Sequence, residues 1–189
     1  MKKELEEKLY NQYPKLFKQR HLPITHSCMP FGCEHGDGWF SILNNACSVI
    51  NWHIEQSRKS TALSKRYNRA LKQAISGNTK NLTYYYKTKL RYPDEKVQEY
   101  VAKDIEKKQF REQWQQVPTP LVFSQIKEKF GTLRIYSYGG DHFCEGVIAM
   151  AERMSAVTCE YCGLPGKINN DGWITTLCSS CRKKENPEE

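Results

Sequence analysis

Four cysteines near the end of the chain constrain its fold more than any other feature. Cys159 and Cys162 are separated by two residues, as are Cys178 and Cys181, and fifteen residues lie between the pairs. Two intervening residues let a tight turn aim both sulfurs of a pair at one point. Gly163, just after the first pair, suits the left-handed backbone that such knuckles often need. Two knuckles supply the four soft ligands that a tetrahedral structural zinc prefers, so the spacing predicts one Zn²⁺ on Cys159, Cys162, Cys178 and Cys181. Four sulfurs close the coordination shell and leave no place for a reactive water. Residues 158–184 therefore read as a zinc ribbon. Lys167–Ile168 and Trp173–Leu177 would be the arms, joined by the turn formers Asn169 to Gly172. Trp173 and Leu177 would cover the metal-bearing end. So short a segment cannot fold on its own apolar burial, and metal binding of about 10 kcal/mol would supply the difference.

Upstream, residues 1–157 read as an α+β domain, with helices packed on a small antiparallel β-sheet. Leu5, Leu9, Leu16 and Phe17 mark a short helix over 2–18, and glycines and prolines break 20–38 into a loop. Asp37 is placed to cap the next helix. Trp39, Ile42, Leu43, Ala46, Val49 and Ile50 recur at helical spacing over 39–56, with His53 on the same face as a buried, hydrogen-bonded histidine. A second helix over 60–76, capped by Ser60 or Thr61, places Leu63, Tyr67, Ala70, Leu71 and Ala74 inward. Gly77 and Asn78 end it.

The run LTYYYKTKLRY (82–92) alternates as a strand, with Tyr85 on the cationic side. A third helix is expected from Asp94 to about Trp114, with Val97, Val101, Ile105 and Phe110 as its seam. Residues 121–138 read as a hairpin turning at Gly131, with Val122, Ser124 and Ile126 on one face of its first arm. Asp141 caps a fourth helix, 142–156, with Val147, Ile148, Ala151 and Met154 inward. Cys47 and Cys144 read as buried thiols, and the Lys/Glu-rich end as frayed from 185. His26, Cys28, Cys33 and His35 form a second cluster that is either a weaker metal set or ordinary loop thiols and histidines.

Charge is concentrated in one stretch. Residues 57–93 carry ten basic side chains and no acidic one, more than the whole net charge of +8. Interleaved with tyrosines, such a block can contact phosphate and stack on bases. Arg58, Lys65, Arg69, Lys72, Tyr85, Lys87, Lys89 and Arg91 are the candidate contacts to DNA or RNA. Docking onto an acidic protein is the alternative. No segment is apolar enough to cross a membrane and no secretory leader is evident, so a reducing cytoplasm is expected. No Gly-rich phosphate loop, nucleophile elbow or pair of carboxylates at a telling spacing is present. His35 and Asp37 in HGDGWF (His35–Phe40) are explained more simply by a cap and a core Trp. All five histidines fall at or before residue 142, so a zinc-supported nuclease lacks histidines near the cysteines.

The stretches GDGWF (Gly36–Phe40), QIKEKFGTLRIYSYGGD (Gln125–Asp141), MAERMSAVTCEYCGLPGK (Met150–Lys167) and GWITTLC (Gly172–Cys178) resemble a family of small uncharacterised proteins encoded by tailed bacteriophages and prophages. The resemblance covers about half of the chain. Residues 57–116 look like an insertion relative to shorter relatives, and the last ligand, often His among them, is Cys181 here. The resemblance implies a phage origin and expression in a bacterial host cytoplasm. It also admits an accessory role against host machinery, such as inhibition of an anti-phage defence system.

Overall fold

Residues 40–75 contain neither glycine nor proline. In the computed structural model, which describes residues 1–111, 117–170 and 172–185, they form one uninterrupted helix. The elements in chain order are α1 (Lys3–Gln12), β1 (Cys33–Glu34), α2 (Phe40–Ile75), α3 (Lys80–Thr88), α4 (Asp94–Lys107), β2 (Thr119–Lys129), β3 (Thr132–Gly140), α5 (His142–Ser155), β4 (Lys167–Asn169), β5 (Thr175–Leu177) and α6 (Ser179–Glu185). The chain is thus α+β, with six α-helices and two small sheets among the described residues. It divides into two compact units. One comprises residues 1–54 and 118–189, the other residues 55–117.

In the first unit, α1 stops at Gln12 instead of running to residue 18, because Pro14 disfavours helical backbone at Tyr13. Leu16 and Phe17 are still buried, delivered by a turn and a short 3-10 helix. They join Leu9, Trp39, Leu43, Ile50, Phe123, Ile126 and Leu133 in one core. The three-stranded sheet runs β1-β2-β3. It is mixed and not purely antiparallel: β1 pairs parallel to β2 through Cys33 and Ile126, and β2 pairs antiparallel to β3. The hairpin turns at Phe130 and Gly131, both at positive φ.

A register irregularity between Phe123 and Gln125 shifts the inward set of β2. Leu121, Phe123 and Ile126 face the core, where strict alternation puts Val122, Ser124 and Ile126 together. The free edge of β3 is covered by α5: Leu133 N–H donates to Ser155 Oγ (2.8 Å) and Ile135 N–H to Glu152 Oε1 (2.9 Å). Asp141 caps α5 as expected, its Oδ1 accepting from the Cys144 amide at 3.1 Å. Cys144, Val147, Ala151 and Ser155 point inward, whereas Met154 is exposed. On the first half of α2, Val49 is exposed, and Cys47 and Ile54 complete the buried stripe.

The second unit corrects several expectations. No break separates 39–56 from 60–76, and Ser60 and Thr61 cap nothing because the helix passes through them. Leu63 is exposed. Residues 80–88 form helix α3 instead of a strand over 82–92, burying Leu82, Tyr85 and Tyr86 at spacings of three and four. They pack with Tyr67, Leu71, Val97 and Val101. Tyr67 Oη donates to Asp104 Oδ2 at 2.7 Å, and the Tyr86 hydroxyl donates to the same oxygen. Helix α4 ends at Lys107, with Lys108 left-handed, so Phe110 leaves the expected seam and is exposed. Trp114 lies outside the described residues.

Candidate functional site

The two cysteine pairs converge. The four sulfurs of Cys159, Cys162, Cys178 and Cys181 all lie within 4.8 Å of one another, with Cys162 Sγ and Cys178 Sγ 3.6 Å apart. Each knuckle is shaped by its own backbone. Gly163 N–H donates to Cys159 O (2.9 Å), and Cys159 N–H donates to Leu164 O (2.7 Å). Gly163 takes φ +76°. In the second knuckle, the Cys181 amide points at Cys178 Sγ (3.4 Å) at the start of α6.

Backbone hydrogen bonds also act on the Cys159 thiol. Burial raises the pKa of Cys159, but hydrogen bonds from the Cys178, Cys162 and Tyr161 backbone outweigh it and lower that thiol to about 7. The set can hold a soft cation, and nothing in it offers an open coordination position. The hairpin β4–β5 is shorter than expected: Trp173 precedes its second arm and is 81% exposed, so it does not cover the sulfurs. Leu177 is buried beside them. Asp171 lies outside the described residues.

The first knuckle is seated on the GDGWF segment, a role the sequence did not disclose. Gly38 N–H donates to Glu160 O (2.7 Å), and Gly36 N–H donates to Glu160 Oε1 (2.9 Å). Trp39 Nε1–H donates to Thr158 O (2.7 Å). A Cβ on Gly38 would sit 2.2 Å from Cys159 O, and one on Gly36 would sit 2.4 Å from Glu160 O. Both glycines are therefore needed for close backbone approach. Asp37 does not cap a helix; its carboxylate accepts from Lys2 N–H at 2.8 Å.

Other candidate ligands are not assembled in the same way. His26, Cys28, Cys33 and His35 do not converge among the described residues. Burial, then the Glu6 carboxylate, pushes the Cys33 thiol up to about 12. His35 Nδ1–H donates to Gly36 O (2.8 Å), and burial holds the ring's pKa down to about 4. His53, Asp141 and Cys144 do come together. There His53 Nε2 meets Asp141 Oδ2 at 2.8 Å and its ring stacks on Phe143, which ties α2 to the cap of α5.

The cationic candidates lie on the second unit. Lys65, Arg69 and Lys72 are exposed on α2, and Arg58 is half-buried and pairs with Glu55 at 3.6 Å. Steps of seven, four and three residues put these four on one stripe about 21 Å long. Lys87, Lys89 and Arg91 are exposed at and beyond the end of α3, and Lys87 pairs with Asp94 at 3.0 Å. The strand reading puts Tyr85 beside these cations. In the helix it is only 2% exposed, and its hydroxyl accepts from Arg111 Nη1, so it offers no face for stacking. Tyr84, 63% exposed, is the accessible ring of that run. No helix among the described residues is long and apolar enough to cross a membrane. No family model, curated protein or solved structure matches the chain.

Proposed function

We propose that this chain is a phage-encoded accessory protein that binds nucleic acid through the cationic stripe of α2, with one structural Zn²⁺ stapling its cysteine module. The zinc reading rests on the donor set. A tetrahedral site with Zn–S bonds of about 2.3 Å has sulfur–sulfur edges of about 3.8 Å. The Cys162–Cys178 separation of 3.6 Å is already near that value. The ion would draw the four sulfurs into the thiolate form and fix both knuckles; this chain's residues would do no chemistry through it.

The nucleic-acid reading rests on one observation. Lys65, Arg69 and Lys72 are exposed along one helix face, within a stretch of 37 residues that contains no carboxylate. The opposite face, with Tyr67, Ala70, Leu71 and Ala74, is buried. The stripe is thus a fixed cationic surface suited to phosphate contact.

Elemental analysis of the purified protein tests the first part and should find about one zinc per chain. Fluorescence polarisation with labelled DNA and RNA duplexes tests the second. Binding should weaken steeply between 50 and 200 mM salt. Lys65→Ala, Arg69→Ala and Lys72→Ala together should reduce the logarithmic salt slope by about 3. No binding to either duplex at 50 mM salt would remove this reading, leaving the stripe to an acidic host protein.

A further inference from the structure

The first unit carries a second surface that the cationic stripe does not account for. On the β2–β3 hairpin, Gln125 pairs with Tyr136 and Lys127 with Arg134. Residues directly opposite in a ladder share a face, and here the intervening Ile126 and Ile135 are buried. Lys127, Lys129, Arg134 and Tyr136 therefore lie on the outer face, with Lys127 Nζ 5.8 Å from the Tyr136 ring centre.

At the tip of the hairpin, Phe130 is 67% exposed, and Trp173 at the tip of the β4–β5 hairpin is 81% exposed. The two tips line one groove of about 450 Å³. They are tied together: the Thr176 hydroxyl donates to Gly131 O, and a Cβ on Gly131 would already touch Ile174 and Thr175. The two tips that carry the rings are therefore held side by side. Such rings offer apolar faces on which a planar group can stack.

Two carboxylates, Glu128 and Glu34, lie beside the three cations Lys127, Lys129 and Arg134, so the surface keeps a positive excess of one. Glu128 Oε1 is turned to the Gly131 amide at 2.6 Å. Glu34, beside Lys127 in the ladder, is the acidic neighbour on the outer face.

We propose that this face binds single-stranded nucleic acid, with bases stacked on Trp173, Phe130 and Tyr136 and phosphates on Lys127, Lys129 and Arg134. Exposed rings flanked by cations match the two repeating parts of a single strand, its bases and its phosphates. A base-paired duplex withholds the faces of its bases. The site lies on different residues from the α2 stripe and stands whether or not that stripe binds.

The test uses the full zinc-loaded chain, a fluorescein-labelled twelve-nucleotide dT strand and a blunt duplex of the same length, at 50 mM salt. Trp173→Ala combined with Phe130→Asn removes both tip rings; Asn tolerates the left-handed backbone at 130. The double variant should lose affinity for the single strand by about tenfold or more and keep its affinity for the duplex. Quenching of tryptophan emission by the dT strand should fall with it. Circular dichroism and zinc content identical to wild type establish that it folds. The Lys65→Ala, Arg69→Ala, Lys72→Ala variant should show the converse, losing duplex binding and keeping the strand. Unchanged single-strand affinity in the double variant would overturn the inference and leave the stripe reading untouched. A wild-type chain that ignores the dT strand overturns it equally and assigns the rings to a protein partner.

Discussion

Replacing Gly38 with alanine would place a Cβ 2.2 Å from Cys159 O, 2.5 Å from Gly163 N and 2.7 Å from Glu160 O, where ordinary contact begins near 3.4 Å. All three atoms are backbone, so no side chain can rotate away. Gly38 is not in the left-handed region, so alanine's own conformational preference adds nothing. The whole effect is crowding, and the first knuckle must retreat by roughly 1 Å. Overpacking of this kind costs about 1–3 kcal/mol. Loss of the 2.7 Å bond from Gly38 N–H to Glu160 O adds about 1 kcal/mol.

Metal–ligand distances tolerate only about 0.2 Å, so with the proposed zinc in place the displaced knuckle would carry this cost in the metal-bound form. At about 1.4 kcal/mol per tenfold, a total of about 2–4 kcal/mol would weaken the proposed zinc binding roughly 30- to 700-fold. Competition against a chromophoric chelator reads this directly. A Gly38→Ala protein that holds zinc within about threefold of wild type would refute the seating of the knuckle on GDGWF.

Gly146 is the opposite case. It lies inside α5, and a Cβ there meets nothing within 4 Å, so Gly146→Ala should stabilise the protein by about 0.5–1 kcal/mol in urea unfolding. His35 gives a pH signature. Its folded-state pKa of about 4 lies below the ordinary 6.5, so between those values the unfolded chain binds more protons and stability rises with pH. Wild type should lose about 2 kcal/mol on going from pH 7 to pH 5 beyond what His35→Asn loses, measured by urea unfolding of both at each pH. Comparing the two cancels protonation of the cysteines. Asp104→Ala would leave the Tyr67 and Tyr86 hydroxyls without their acceptor. It should destabilise residues 55–117 by about 2–4 kcal/mol, read as loss of helical circular dichroism at lower urea. A strand over 82–92 would place these groups elsewhere and show little change.

Local signals with a single physical solution were legible in the sequence. The Cys-x2-Cys spacings brought the four sulfurs together, Asp141 caps α5, Gly131 turns the hairpin, and Gly77 follows the end of α2. Ambiguity arose where a pattern admits two periods. Leu82, Tyr85 and Tyr86 satisfy helical spacing, while the same segment alternates well enough for a strand, and packing against Leu71 and Val97 decides the outcome. The expected break at 57–59 falls on a polar run that contains no helix breaker, and Ser57 is in fact buried. The role of Gly36 and Gly38 was invisible for another reason. A glycine pair next to a core Trp announces close approach of some backbone, and nothing local says that its partner is Glu160, far along the chain.

That separation has a consequence for how the chain can vary. The contact of Gly36 with Glu160 spans 124 positions and acts as a clasp on a long loop, with residues 55–117 inside it. Loop-closure entropy grows only logarithmically, so removing about half of the loop would ease closure by only about 0.6 kcal/mol, and doubling it would cost the same. In chain entropy, the clasp is nearly indifferent to the length of residues 55–117. A change of length confined to residues 55–117 should therefore cost the seating of the cysteine knuckle little.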